Sequence, residues 1–273
     1  MPIVRINDSA DPRLAEYRHL RERDLHGREG VFIGEQPLIV ERMLALDGVT
    51  RSVLVIESRE AWLRETLAAL GREDAQCFIA PRDVVASIAG FDVHRGILAA
   101  GNRHSFDHRT LKDVLPPNDH PATVLCCESI NNIDNIGALF RIGAAFGADA
   151  ILLDEACHDP LYRKALRVSI GHALAIPFVR STSWNDDLQA LKDQFDCTLI
   201  GAATTGTSLH QCLPQPPKRL AVVMGCEFDG LTEATLALCE HTVRIPMAPG
   251  VDSLNVGVAA AILLDRLSPA TRR

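Results

Sequence analysis

Three short segments of this chain hold the residue types that chemistry on a polar ligand needs. The first, Val222-Val-Met-Gly-Cys-Glu227-Phe-Asp-Gly230, is an uncharged run that ends in a loop carrying a carboxylate. Such a run reads as a buried strand, and Glu227 falls just past its carboxyl end, where open α/β sheets place their ligands. Gly225 has no side chain to keep a ligand away from the backbone at that point. The second segment, Arg244-Ile-Pro-Met-Ala-Pro-Gly-Val-Asp-Ser-Leu-Asn-Val-Gly-Val-Ala259, is a Pro- and Gly-bounded loop running into an apolar stretch. Its pattern places Ser253 at a helix N-cap and Asn255 in the first turn, so main-chain donors and acceptors stand beside two polar side chains. The third, Asn132-Ile-Asp-Asn-Ile-Gly-Ala-Leu-Phe-Arg141, directly follows an apolar run over 122–128. Asn135 falls at or before a helix start. Arg141, two turns in, is the only charged residue between Asp134 and Asp149. Residue types alone leave two readings of Arg141 open: a cation kept for an anionic group, or a structural ion pair with Glu227 or Glu128.

These loops need a framework, and the chain supplies an alternating one. Strands are expected near 122–127, 150–153, 197–202 and 220–224, with helices near 135–146, 161–173, 185–194 and 255–267. Uninterrupted apolar strands separated by helices imply a parallel sheet covered on both faces. The last helix is apolar nearly all round and must be covered on most sides. Upstream, helices are expected over 35–46, 60–70 and 83–89 and strands over 52–57, 76–80 and 95–100, enough for a small α/β domain with its own core. Residues 101–121, polar and holding Pro116, Pro117 and Pro121, read as a linker. The expected division is therefore 1–100, a linker over 101–121, and 122–273. Neither a Gly-x-Gly-x-x-Gly fingerprint nor a Walker phosphate loop is present, which removes the key residues of the common nucleotide-binding folds.

Taken in order, the three segments resemble the three signature motifs of the SpoU (TrmH-type) branch of the SPOUT methyltransferases. These enzymes transfer a methyl group from S-adenosylmethionine to a ribose 2′-hydroxyl of RNA. The resemblance runs from about 122 to 267 and is carried by Ile245-Pro-Met, by Ser253-Leu-Asn-Val, and by the Asn-x-x-Asn-x-x-Ala-x-x-Arg outline of 132–141. Residues 1–100, closing on Val93-His-Arg-Gly-Ile-Leu-Ala99, resemble the family's RNA-binding accessory domain, which is similar to certain large-subunit ribosomal proteins. One departure is Gly257, where many relatives carry Ser. The resemblance implies an α/β fold: a C-terminal SPOUT domain with a parallel sheet and a deep trefoil knot, paired into a homodimer whose active sites draw on two chains. It implies catalytic roles for Asn135, Arg141, Glu227, Ser253 and Asn255. Thr204, Gly225, Ile245, Met247 and Leu254 fall where relatives hold the adenine and ribose of S-adenosylmethionine. Family accounts make the arginine a base, but a guanidinium stays protonated in proteins, so gripping a phosphate and stabilising a forming oxyanion suits Arg141 better. The rival from another class is a non-catalytic RNA-binding or ribosome-assembly factor that retains the fold; five intact site residues speak against it. A rival among enzymes, methylation of a base nitrogen, fits the first motif less well.

Composition narrows the partners. A net charge of −7 excludes a protein that coats nucleic acid by bulk charge and leaves local patches as the means of contact. Only four of the 28 basic residues are Lys, so the available cation is nearly always Arg, the side chain shaped for bidentate phosphate contact and base stacking. The densest cluster, Arg18, Arg21, Arg23 and Arg28, reads either as an RNA contact or as a solvated helix laced with Glu22, Asp24 and Glu29. Arg163 and Arg167, on the helix expected after Pro160, form a second candidate RNA-facing patch. Eight scattered cysteines without a Cys-x-x-Cys pair, and ten histidines without ligand-like spacing, point to reduced thiols and no metal site. No apolar run approaches the ~20 residues of a membrane span, and the first residues lack the pattern of a signal peptide. A cytoplasmic enzyme acting on ribosomal RNA, or failing that transfer RNA, is the expectation, with no membrane partner.

Overall fold

A computed structural model of the chain describes residues 3–18, 20, 30–209, 211 and 217–269. The chain divides into two compact units: Met1–Ser105 with Leu161–Leu174, and Phe106–Pro160 with Ala175–Arg273.

The first unit contains β1 (Val4–Arg5), β2 (Val31–Glu35), α1 (Pro37–Ala45), β3 (Thr50–Ile56), α2 (Glu60–Leu70), β4 (Cys77–Ala80), α3 (Arg82–Ala89) and β5 (Ile97–Asn102). Its strands form one mixed sheet in the order β1-β4-β3-β5-β2, with β1, β4 and β3 parallel and β5 antiparallel to both β3 and β2. Successive residues of β3 are buried on both faces, Val53 and Val55 on one and Leu54 and Ile56 on the other, so the sheet carries cover on each side. A 3-10 helix over Pro12–Tyr17 contributes Leu14 and Tyr17 to the core that Leu54, Ile56, Phe78 and Leu98 build with α3. The Tyr17 hydroxyl is satisfied there by the Ser52 hydroxyl at 2.8 Å and by the Ala100 amide, which donates to it at 3.3 Å.

The second unit contains α4 (Leu111–Val114), β6 (Ala122–Cys127), α5 (Ile133–Ala145) and β7 (Ala150–Leu153). After the short helices α6 (Arg163–Val168) and α7 (His172–Ala175) it resumes with β8 (Phe178–Arg180), α8 (Trp184–Asp193), β9 (Thr198–Ser208), β10 (Arg219–Met224), α9 (Glu233–Leu238), β11 (His241–Arg244) and α10 (Val256–Leu267). All six strands are parallel, in the order β11-β9-β10-β6-β7-β8. Every residue of β6, β7 and β10 is buried, as a doubly covered parallel sheet requires. Helix α10 packs against α5 and β10. Gly257 makes the approach to α5 close: a β-carbon there would stand 3.2 Å from Cδ1 of Ile142 and 3.5 Å from Cβ of Ala138.

Two expectations about organisation are corrected. The segment 101–121 is not a free linker. Its first residues finish β5, while Phe106 and Leu111 are buried in the second unit. Buried Arg219 then donates to the carbonyls of Pro116, Pro117 and His120, at 3.2, 2.9 and 2.7 Å, and fastens the rest of the segment down. The helix expected over 161–173 breaks in two where Ile170 and Gly171 take φ of 53° and 75°, and residues 161–174 belong to the first unit. There Glu35, buried at the end of β2, accepts from Arg163 Nη1 at 3.2 Å and Arg167 Nη1 at 2.9 Å, and the Arg163 guanidinium lies 4.4 Å over the Phe91 ring. Arg163 is itself buried and belongs to an internal ion-pair cluster rather than an RNA-facing patch, while Arg167 stays part-exposed at the edge of that cluster.

Candidate functional site

Strands β6 and β10 lie side by side at the centre of the second sheet, and their onward connections leave in opposite directions, to β7 and to β11. That reversal opens a crevice at the strands' carboxyl ends. The loop after β6 enters it through Ser129, held at a φ of 58° by buried Asp154, whose Oδ2 accepts from the Ser129 amide at 2.8 Å. Asn132 then caps α5, its Oδ1 accepting from the amides of Asp134 and Asn135 at 2.8 and 3.4 Å. Asn132 thus supplies the cap, and the side chain of Asn135, three residues on, is left for another purpose. Only 6% exposed, it donates through Nδ2 to Glu227 Oε1 at 2.7 Å.

Asn255 closes the figure. Its Nδ2 donates to Asn135 Oδ1 at 3.0 Å and to Glu227 Oε1 at 3.1 Å, while its Oδ1 caps α10 by accepting from the Gly257 amide at 2.9 Å. Asn255, not Ser253, is thus the N-cap, and Ser253 stands exposed in the loop before it. Three residues from three distant segments are hydrogen-bonded into one triangle. Glu227 Oε2 has no partner among the described residues.

Beside the triangle lies a cavity of about 310 Å³. Three loops wall it: 202–205, 224–231 and the stretch from Val243 to Leu254, with α10 behind. Thr204, Gly225, Ile245, Met247 and Leu254 all line it, as do Glu227 and Ser253. Two details differ from the expected design. Strand β9 does not end near 202; it runs to Ser208, and its pairing with β11 skips from Gly201 to Thr207, so the intervening residues leave the ladder as one cavity wall. Gly225 is required by the protein itself, because a β-carbon there would stand 2.2 Å from the carbonyl carbon of Gly230, where the loop folds back on its own backbone. The far end of that loop is tied to buried Glu128, which accepts from the Thr232 amide at 3.0 Å and from the Thr232 and Thr235 hydroxyls at 2.8 and 2.6 Å. Reasoning from residue types missed Glu128 as an anchor, although a carboxylate ending an apolar strand is a signal that something must satisfy it.

Arg141 is exposed on α5 and makes no hydrogen bond or ion pair among the described residues. The alternative of a structural pair with Glu227 or Glu128 is not realised, since the asparagines hold the first and threonines the second. Arg18 donates to the carbonyls of Ser9 and Asp11 at 3.3 and 2.9 Å and so braces the turn before it. Arg21, Arg23 and Arg28 lie outside the described residues. Among the thiols, burial pushes Cys126 and Cys127 well above the ordinary range, whereas Cys226 is half-exposed and lines the cavity.

A model of the SpoU rRNA methylase family matches residues 122–265. An uncharacterized tRNA/rRNA methyltransferase of Mycobacterium tuberculosis is 36% identical, over 93% of this chain and 88% of its own length. The 23S rRNA (guanosine-2'-O-)-methyltransferase RlmB of Acinetobacter baylyi is 31% identical, over 68% of this chain and 75% of its own. The SpoU methyltransferase AviRb of Streptomyces viridochromogenes, solved in complex with AdoMet, superposes with a TM-score of 0.76. That match covers 96% of this chain and 98% of the other at 23% identity, a likeness of fold.

Proposed function

Because the chain belongs to the SpoU rRNA methylase family, we propose that it transfers the methyl group of S-adenosylmethionine to a ribose 2′-hydroxyl of ribosomal RNA. The observation that carries this reading is the Asn135–Glu227–Asn255 triangle at the mouth of the loop-walled cavity. The cavity suits the cofactor: Leu231, Leu236, Ile245 and Leu254 offer an apolar surface to a flat base, and the loops around Gly225 offer main-chain donors and acceptors to its polar edge. When bound, the sulfonium supplies an activated methyl group. Glu227 sets a negative charge beside that site. Its Oε1 is engaged by both asparagines, so Oε2 is the atom that accepts a hydrogen bond from the ribose hydroxyl, aligns it for in-line attack and takes its proton as the oxygen attacks.

Arg141 completes the site from a second copy of the chain. It lies about 9 Å along α5 from Asn135 and about 120° round it by the shorter way, exposed and with no hydrogen bond or ion pair to the triangle of its own chain. A homodimer is supported by Val258 and Ile262, which stand one turn apart on α10 and remain 50% and 37% exposed. In this arrangement Arg141 grips the phosphate beside the target and stabilises the forming oxyanion. The first unit serves as the RNA-binding accessory domain, with a fold similar to large-subunit ribosomal proteins, and the C-terminal part of the second unit threads through a loop to make a trefoil knot that holds the cofactor. A ribosomal RNA substrate would place the protein in the cytoplasm, and no helix among the described residues is long and apolar enough to cross a membrane.

The test is transfer of a labelled methyl group from S-adenosylmethionine to a 23S ribosomal RNA transcript, followed by alkaline hydrolysis. A 2′-O-methyl group blocks cleavage at its own linkage, so label in alkali-stable dinucleotides supports the reading. Label in mononucleotides would assign the methyl group to a base, and absence of transfer to any ribosomal RNA would leave a fold kept for binding.

A further inference from the structure

We propose that Phe228 is the platform on which an unpaired base of the RNA stacks, at or next to the nucleotide whose hydroxyl Glu227 aligns; this rests on the methyltransferase reading above. Phe228 is 96% exposed, the most exposed of the large apolar side chains described. A phenyl ring in water forgoes the burial that would stabilise it, so its display needs a reason.

The loop that displays it is firmly held. Cys226 and Gly230 bridge across it, with the Gly230 amide donating to the Cys226 carbonyl at 3.2 Å, and the Asp229 amide donates to Cys226 Sγ at 3.4 Å. Glu227, one residue before the ring, is fixed by Asn135 and Asn255, and Thr232 beyond it is fixed by Glu128. The ring therefore stands outward on a preorganised support at the wall of the cofactor cavity.

Its surroundings select the occupant. Glu227 and Asp229 flank it, both exposed carboxylates that repel phosphate. The group that fits is flat and uncharged, and is carried by the same strand as the hydroxyl at Glu227. A nucleobase meets these conditions, and single-stranded RNA is commonly gripped by bases splayed onto aromatic rings. A base held in a helix keeps both faces covered, so the target lies in a loop or is turned out of its stack.

The experiment compares Phe228→Ala and Phe228→Trp with the unaltered protein in methyl transfer to a 23S ribosomal RNA transcript, alongside calorimetric titration with S-adenosylmethionine. Phe228→Ala is expected to raise the KM for RNA about 10- to 100-fold while leaving cofactor affinity within about two-fold. Phe228→Trp is expected to restore KM, and its emission to be quenched by the transcript and by single-stranded oligouridylate more than by a duplex of equal length. An unchanged KM in Phe228→Ala overturns the proposal. So does a parallel loss of cofactor affinity, which would make the ring a cover for the cofactor, or a lower sedimenting mass, which would make it a contact between copies. If the unaltered protein methylates no ribosomal RNA, the methyltransferase reading fails, while quenching by oligouridylate still reports the stack.

Discussion

Mixing two inactive variants distinguishes a site built from one chain from a site shared by two. Arg141→Ala and Glu227→Ala suit the purpose because both residues are exposed and neither substitution opens a hole in the core. Within one chain nothing ties them together: Glu227 is held by Asn135 at 2.7 Å and Asn255 at 3.1 Å, and Arg141 faces solvent without a partner among the described residues. If Arg141 serves the triangle of a second copy, each dimer has two composite sites. A dimer made of one Arg141→Ala chain and one Glu227→Ala chain then concentrates both lesions in one site and leaves the other intact. Random pairing makes about half the dimers mixed, so the mixture should recover about a quarter of the unaltered activity, and the purified mixed dimer about half. The assay is methyl transfer to the 23S transcript after co-expression of the two chains with different affinity tags. Recovery no greater than the sum of the parents would place Arg141 and Glu227 in the service of the same chain and refute the shared site. Parents that are themselves active would remove both residues from the mechanism.

Gly225→Ala should cost about 1 to 3 kcal/mol in urea unfolding, since its β-carbon would fall 2.2 Å from the Gly230 carbonyl carbon, and should weaken calorimetric S-adenosylmethionine binding by about ten-fold or more. Asn255→Asp should keep the α10 cap, because an Asp oxygen still accepts from the Gly257 amide, yet should lose transfer by setting a second carboxylate about 3.1 Å from Glu227 Oε1. Asn255→Ala should lose transfer and about 1 kcal/mol of stability together, so the pair separates the capping role from the site role. S-adenosylmethionine should protect Cys226 from iodoacetamide as read by peptide mass spectrometry, because this thiol lines the cavity. Cys126 and Cys127 should stay unlabelled with or without cofactor in the folded protein, since burial disfavours their thiolates.

The elements that could be read from the sequence are those whose pattern is fixed by their own burial. Strands β6 and β7 fall at their expected bounds because a strand covered on both faces must be apolar throughout, and α2 does so because its buried Leu63 and Leu67 recur at helical spacing. Strand β2 was obscured by Gly34 and Glu35, whose reasons lie elsewhere: Glu35 answers two arginines more than a hundred residues away. The edge strands β8 and β11 are too short for a period to show, and β11 carries His241, Thr242 and Arg244 in four residues. The same blindness to distant partners misassigned Arg163, since helical spacing registers charge but not the carboxylate that meets it.

Within the candidate site, the residue types were legible and their division of labour was not. Local rules allow any of Asn132, Asn135, Ser253 and Asn255 to cap a helix; the choice was made by Glu227, which needs donors. A carboxamide is at once donor and acceptor, and each asparagine of the triangle uses both functions: Asn135 donates to Glu227 and accepts from Asn255, while Asn255 donates to both and accepts from the first turn of α10. Aspartate cannot donate in this way when ionised, and Ser offers a single donor with a shorter reach, so neither reproduces the figure. The start of α10 and the position of the Glu227 carboxylate are consequently set by one side chain. The distance between the two asparagines is set in turn by how closely α10 lies on α5, where Gly257 meets Ala138 and Ile142. The position of Glu227 Oε2 thus depends on a helix–helix contact that contains no reactive group, and a bulky residue at Gly257 would reach the carboxylate through Asn255 before it touched any ligand.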